Sequence, residues 1–210
     1  MTWVSDRSGH IEEFFKATGQ PVPGSGHSTG LPLTDIAFIG DQMYGTTFGA
    51  LYQIDDTTGA AGLVGNYSFN DGINALVGHE GALYAASYTN HDVYKLDPRT
   101  GPSIYAVTPY ASAGDLAWAG ETLYESVRLR GGRDGLYDVT DHHLVGTFRA
   151  AGGQTFNDLF GLTDNGHGMF AIAGNDIYQV NLATAHLTHL SNNAASGFGQ
   201  ASGAAWANVG

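Results

Sequence analysis

The chain has 210 residues, no cysteine, and a formal charge of −12 from 8 basic and 20 acidic side chains. The lack of cysteine excludes disulfides, thiolate metal sites and cysteine nucleophiles. With so few cations there is no clustered groove for a nucleic-acid backbone.

Glycine supplies 31 residues and only 13% are charged, which points to many tight turns and few solvated helices. No apolar run approaches the roughly 18 residues of a membrane helix. The N-terminus lacks the basic, then apolar, pattern of a leader. A soluble chain is expected, cytoplasmic or secreted after removal of a signal, and a monomer.

Taken in chain order, one short unit returns again and again. Thr2-Trp3 is followed by Ile11-Glu12-Glu13-Phe14-Phe15 and Thr18-Gly19. Next come Ile36-Ala37-Phe38-Ile39, Met43-Tyr44, Leu51-Tyr52-Gln53-Ile54-Asp55 and Thr58-Gly59. The third unit is Asn74-Ala75-Leu76-Val77, Leu83-Tyr84, Val93-Tyr94-Lys95-Leu96-Asp97 and Thr100-Gly101. The fourth is Leu116-Ala117-Trp118-Ala119, Leu123-Tyr124 and Leu136-Tyr137-Asp138-Val139-Thr140. The fifth is Leu159-Phe160-Gly161-Leu162, Met169-Phe170 and Ile177-Tyr178-Gln179-Val180-Asn181. The chain closes on Ala204-Ala205-Trp206-Ala207.

Steps of 40, 42, 43 and 41 residues separate Glu12, Tyr52, Tyr94, Tyr137 and Tyr178. Alternating apolar residues, aromatics and Gly/Asn/Asp punctuation read as strands. Four short strands in about 40 residues are the mark of a propeller blade. The prediction is therefore an all-β, five-bladed β-propeller of four-stranded blades. The C-terminal strand completes the N-terminal blade, so the ring closes and an exposed edge disappears. The expected boundaries are 1–33 with 203–210 for the closing blade, then 34–71, 72–113, 114–156 and 157–202.

These strand-and-turn units resemble bacterial propeller repeats, and the resemblance covers essentially all 210 residues. In architecture the chain is similar to the five-bladed tachylectin-type lectins and to five-bladed glycosidases. It carries no motif specific to either family. Polar, glycine-rich and divergent loops suit one small polar ligand, such as a carbohydrate, bound on the propeller axis.

Most repeated aromatics, such as Trp3, Tyr44, Tyr84, Tyr124 and Phe170, are expected to pack between blades. Function should lie in the loops at one end of the channel, where the units differ. Asp35, Asp71, Asp115 and Asp158 lie at or just before an innermost strand and are expected to form an acidic rim. Such a rim would attract a cation, with Ca2+ the candidate, or bind hydroxyls. The alternative is turn anchoring by Asx side chains. No other cofactor is expected.

In an enzyme, Asp35, Asp115 and Asp158 would be the catalytic carboxylates. His91, in the hairpin Tyr88-Thr89-Asn90-His91, would be a candidate base. The reaction would be of glycosidase, lyase or isomerase type. In a binding module, Phe69, Tyr88, Phe156 and Phe198 would stack, and Asn70, Asn157, Asp71 and Asp158 would bond hydroxyls. The hairpin Arg128-Leu129-Arg130-Gly131-Gly132-Arg133-Asp134 holds three of the six arginines, and Arg128 and Arg130 would fix an anionic group. A protein-interaction platform is the third reading. No P-loop, nucleophile elbow, dinucleotide fingerprint or EF-hand loop is present.

Overall fold

A computed structural model of the chain describes residues 1–67, 72–97, 101–193 and 199–206. They form five antiparallel sheets arranged as a ring, a five-bladed β-propeller. The first blade in the chain contains β1 (Thr2–Asp6), β2 (His10–Phe15), β3 (Gln20–Pro21) and β4 (His27–Ser28). The next is β5 (Asp35–Ile39), β6 (Gln42–Thr46), β7 (Ala50–Ile54) and β8 (Ala61–Asn66). Then come β9 (Ile73–His79), β10 (Ala82–Ser87), β11 (Asp92–Asp97) and β12 (Gly101–Val107). The fourth blade is β13 (Ala111–Ala119), β14 (Thr122–Arg128), β15 (Asp134–Asp138) and β16 (His143–Thr147). The fifth is β17 (Leu159–Asp164), β18 (Met169–Ala173), β19 (Asp176–Asn181) and β20 (His186–Asn192).

The last strand, β21 (Ala201–Ala205), pairs with β1 and becomes the innermost strand of the blade that opens the chain. Trp3 faces Ala205 and Val4 faces Ala204 across this seam. The ends of the chain are thus locked into one sheet, as the repeat arithmetic predicts. The innermost strands touch in the order β5, β9, β13, β17, β21 and back to β5, which closes the ring.

Each sheet buries both faces against its neighbours, so the core is a set of inter-blade layers. Trp3, Ile11, Ile36, Phe38 and Met43 fill one of them. Ala75, Tyr84, Leu116, Leu123, Val127 and Tyr137 fill another. The repeated aromatics earn their places here, since each ring buries a large apolar area between two sheets.

The cross-strand register shows which positions are equivalent in depth along the axis. Ile36 faces Gly45, Leu76 faces Ala85, Leu116 faces Glu125, Leu162 faces Ala171, and Ala204 faces Val4. Two residues further on, Phe38, Gly78, Trp118 and Asp164 face Met43, Leu83, Leu123 and Met169. The match of Ile36 with Asn74 and Leu159 suggested by the repeats is therefore shifted by two and three residues. The cause is local: β9, β13, β17 and β21 carry register breaks near their starts, and β5 does not. An irregularity of this kind adds residues to one strand without changing its partner.

Candidate functional site

The innermost strand of a blade has no partner on its axial side, so its backbone groups there need acceptors from elsewhere. In this propeller two carboxylates supply them. Asp35 Oδ1 accepts from Ile36 N at 2.7 Å, and its Oδ2 accepts from Leu76 N at 2.6 Å. Asp115 Oδ1 accepts from Leu116 N at 2.6 Å, and its Oδ2 accepts from Leu162 N and, at 3.3 Å, from Ala204 N. One amide from each of the five blades, all at the same depth, ends on this pair.

The two carboxyls also bond to each other, and both are fully buried. Burial pushes both well above the usual carboxylate range, and the neighbouring carboxyl raises Asp35 further. Burial and the adjoining carboxyl both favour the protonated form of this pair.

The equivalents of Asp35 and Asp115 in the other blades are small: Ala75, Gly161 and Gly203. At Gly203 the reason is direct. A methyl group there would lie 2.0 Å from Asp35 Oδ1 and 2.6 Å from Asp35 Cα. Two carboxyls fill the axis, and the remaining positions must give way.

The pair divides the channel. A cavity of about 400 Å³ on one side is lined by Ile36, Leu76, Leu116, Leu162 and Ala204 and by the residues that follow each of them. Its rim holds His79, stacked on Trp118 with ring centroids 4.1 Å apart. A cavity of about 420 Å³ on the other side is lined by residues that precede the pair: Thr34, Asn74, Ala111 to Gly114, Phe160 and Ser202. Neither cavity is lined by Asp35 or Asp115.

The second cavity, the upper mouth, opens between the hairpins that join the second and third strands of the blades. Each of four hairpins contributes one large side chain: Arg7, Phe48, Tyr88 and Arg128. Phe48 and Tyr88, 49% and 47% exposed, meet edge to face at 5.4 Å. Tyr88 lies over Gly72, where a Cβ would fall 2.1 Å from its ring. The guanidinium of Arg7 lies 5.5 Å from the centre of the Phe160 ring. Arg128 Nη1 donates to Asn157 O at 2.8 Å and to Gly132 O at 3.1 Å, and lies 3.1 Å from the buried Asp134 Oδ1. Burial raises Asp134 to about 6, against the opposing pull of a bond from Leu159 N and of Arg128.

Beneath the wall of this mouth lie two polar atoms without hydrogen-bond partners, Asn74 Oδ1 and Ser112 Oγ. The Asn74 amide donates to Ser112 O at 3.3 Å. The other polar wall residues are occupied: Thr34 Oγ1 donates to Thr46 O and Ile73 O, and Ser202 Oγ meets Ser5 Oγ. An unpaired buried polar atom costs roughly 1–3 kcal/mol. Both atoms belong to residues that line this one cavity.

The predicted site residues divide accordingly. Tyr88 and Arg128 line the upper mouth, and Asn157 borders it through its carbonyl. Asp35 and Asp115 meet, but beneath the cavity. Asp158 is half-buried and approaches the β18–β19 turn at Gly174 instead. Phe156 is buried against Tyr178, with centroids 5.2 Å apart. His91 takes a left-handed backbone conformation (φ 64°), and its carbonyl accepts from Thr108 N. Arg130 is exposed, and neither it nor His91 lines the cavity. Phe69, Asn70, Asp71 and Phe198 lie outside the described residues. Among the described residues, no three His, Asp or Glu side chains gather as a metal ion would need.

Sequence reasoning did not single out Arg7, Phe48, Asn74, Ser112 or Phe160. A signal existed for the first two: each stands at the hairpin of its own blade equivalent to those of Tyr88 and Arg128.

No protein-family model matches the chain, and no curated protein does. Solved structures do. A glutaminyl cyclase from Myxococcus xanthus superposes with a TM-score of 0.58 at 15% identity, over 93% of this chain and 75% of that one. A chain of a nidogen–laminin complex gives 0.63 at 10% identity, over 98% of both. A computationally designed protein, Ika8, gives 0.45 at 13% identity, and this chain spans 57% of its length. At such identities the likeness concerns the fold. No helix of the described residues is long and apolar enough to cross a membrane.

Proposed function

We propose that the chain binds a small polar ligand at the upper mouth of its channel. The observation that carries this reading is the pairing, in one cavity of about 420 Å³, of the exposed Phe48–Tyr88 pair with the unpartnered Asn74 Oδ1 and Ser112 Oγ. Exposed aromatics offer flat apolar contact, and orphan polar atoms offer direction. Binding pockets combine these two elements. A sugar face or an aromatic ring would meet the first, and a hydroxyl or amide the second. The resemblance to tachylectin-type lectins agrees with a ligand of this kind.

A catalytic role, suggested by the similarity to a glutaminyl cyclase, has weaker support. Asp35 and Asp115 are buried, and their oxygens already serve five amides.

The test is an NMR titration of the labelled protein with a set of monosaccharides and small aromatic fragments. Saturable shifts should appear at Gly72, Ser112 and Gly114, and Tyr88→Ala should remove them while leaving the melting temperature (Tm) unchanged. Shifts at His79 and Trp118 instead would move the site to the other mouth. No shifts from any compound at millimolar concentration would overturn the reading.

A further inference from the structure

The charges around the upper mouth are arranged against the balance of the whole chain. Acidic residues outnumber basic ones 20 to 8, yet the charged residues lining this cavity, among those described, are Arg7 and Arg128. They are also sorted around the ring. Phe48 and Tyr88 stand on the two neighbouring blades of β5–β8 and β9–β12. Arg128 belongs to the following blade, Phe160 to the one after, and Arg7 to the closing blade. One side of the mouth carries the two exposed aromatics, and the other carries both arginines, with Phe160 between them.

The two arginines are held differently. Arg128 is anchored through Nη1 by two carbonyls and shares the charge of Asp134. Arg7 is exposed and approaches Phe160 at cation–π distance. This contact engages the π face of a ring and leaves guanidinium N–H groups for an oxygen ligand. A guanidinium fork matches the two oxygens of a carboxylate.

Resting on the reading of this mouth as a ligand pocket, we infer that its ligand is a small carboxylate with a flat body. The carboxylate sits at Arg7, with the field of Arg128 behind it. The flat body lies toward Phe48 and Tyr88. Asn74 Oδ1 and Ser112 Oγ, between the two sides, take a polar substituent. The residual charge of the rest of the protein repels anions at long range, so recognition depends on these two side chains at short range.

The test uses benzoate and benzamide as probes, which share shape and differ in charge. Titrations are followed by NMR at pH 7 in low salt. Benzoate should give saturable shifts at Gly72, Ser112 and Gly114, with an affinity at least tenfold above that of benzamide. Arg7→Gln should bring benzoate down to the benzamide level and leave benzamide unchanged. Equal affinities for the two probes would overturn the anion preference while leaving the pocket in place. Binding of neutral monosaccharides at these residues, with no response to benzoate, would do the same. No response at the mouth to any of these compounds would overturn the pocket as well. An unchanged benzoate affinity in Arg7→Gln would remove Arg7 from the site.

Discussion

Two polar clusters lie on the axis of this propeller, a few residues apart in depth, and they differ in one respect. At mid-channel, Asp35 and Asp115 have their oxygens engaged by five amides and by each other. At the upper mouth, Asn74 Oδ1 and Ser112 Oγ have no partner, and the side chains above them are half exposed. A polar cluster that satisfies itself holds structure together. One that does not leaves hydrogen-bonding capacity that, on the proposed reading, a ligand would use. Residue type alone would have assigned the roles the other way, because carboxylates look more like chemistry than a serine does.

The largest effect should follow removal of a mid-channel carboxylate. Asp115→Ala leaves the amides of Leu116, Leu162 and Ala204 without their acceptor. At roughly 1–3 kcal/mol per buried orphan, the loss is at least about 3 kcal/mol. Thermal denaturation should show a Tm lower by roughly 10 °C. A drop of only a degree or two would mean that the three amides find water instead.

Gly203→Ala should come next, because its methyl meets Asp35 backbone and carboxylate, which cannot both retreat. Overpacking of this sort costs about 1–3 kcal/mol. Gly62→Ala is the control: nothing lies within 4 Å of a Cβ there. Equal Tm values for the two variants would contradict the packing of Gly203 on Asp35.

The pH dependence has a definite sign. Asp35 and Asp115 titrate above the unfolded range because of burial, and burial raises Glu125 to about 8. Between the unfolded carboxylate range near pH 4 and about pH 8, the native state therefore binds more protons than the unfolded chain. Stability falls as pH rises through that window. Tm should be higher at pH 5 than at pH 8, and Glu125→Gln should flatten the slope. A Tm that rises with pH across this window would show that these groups are ionised in the folded protein.

The smallest stability effect belongs to Ser112→Ala, whose hydroxyl has no bond to lose. Its Tm should stay within about 2 °C of the parent, while any ligand of the upper mouth should bind more weakly. A large drop in Tm would place Ser112 with the structural cluster.

The blade count, the closure and the strand order were all legible in the sequence, because Leu-Tyr-x-Ile-Asp strands and Thr-Gly turns recur at nearly constant steps. Depth along the axis was not. Asp35, Asp115 and Asp158 look equivalent by their place before an apolar run, but Asp115 lies one residue before its axial amide and Asp158 four before. The register break between Leu159 and Gly161 makes that difference, and no residue type announces it. The pairing of Arg7 with Phe160 joins the closing blade to the one before it, and only the closed ring brings them together. Tyr88 and Arg128 were legible because hairpins that diverge between repeats stand out against those that do not.

Amide hydrogen exchange measures the central claim most directly. The amides of Ile36, Leu76, Leu116, Leu162 and Ala204 lie on strand edges that no other strand covers. If the Asp35–Asp115 pair binds them as one unit, all five should exchange with the slowest amides of the protein, and in Asp115→Asn those of Leu116, Leu162 and Ala204 should speed up together. Fast, independent exchange of these five in the parent protein would contradict it.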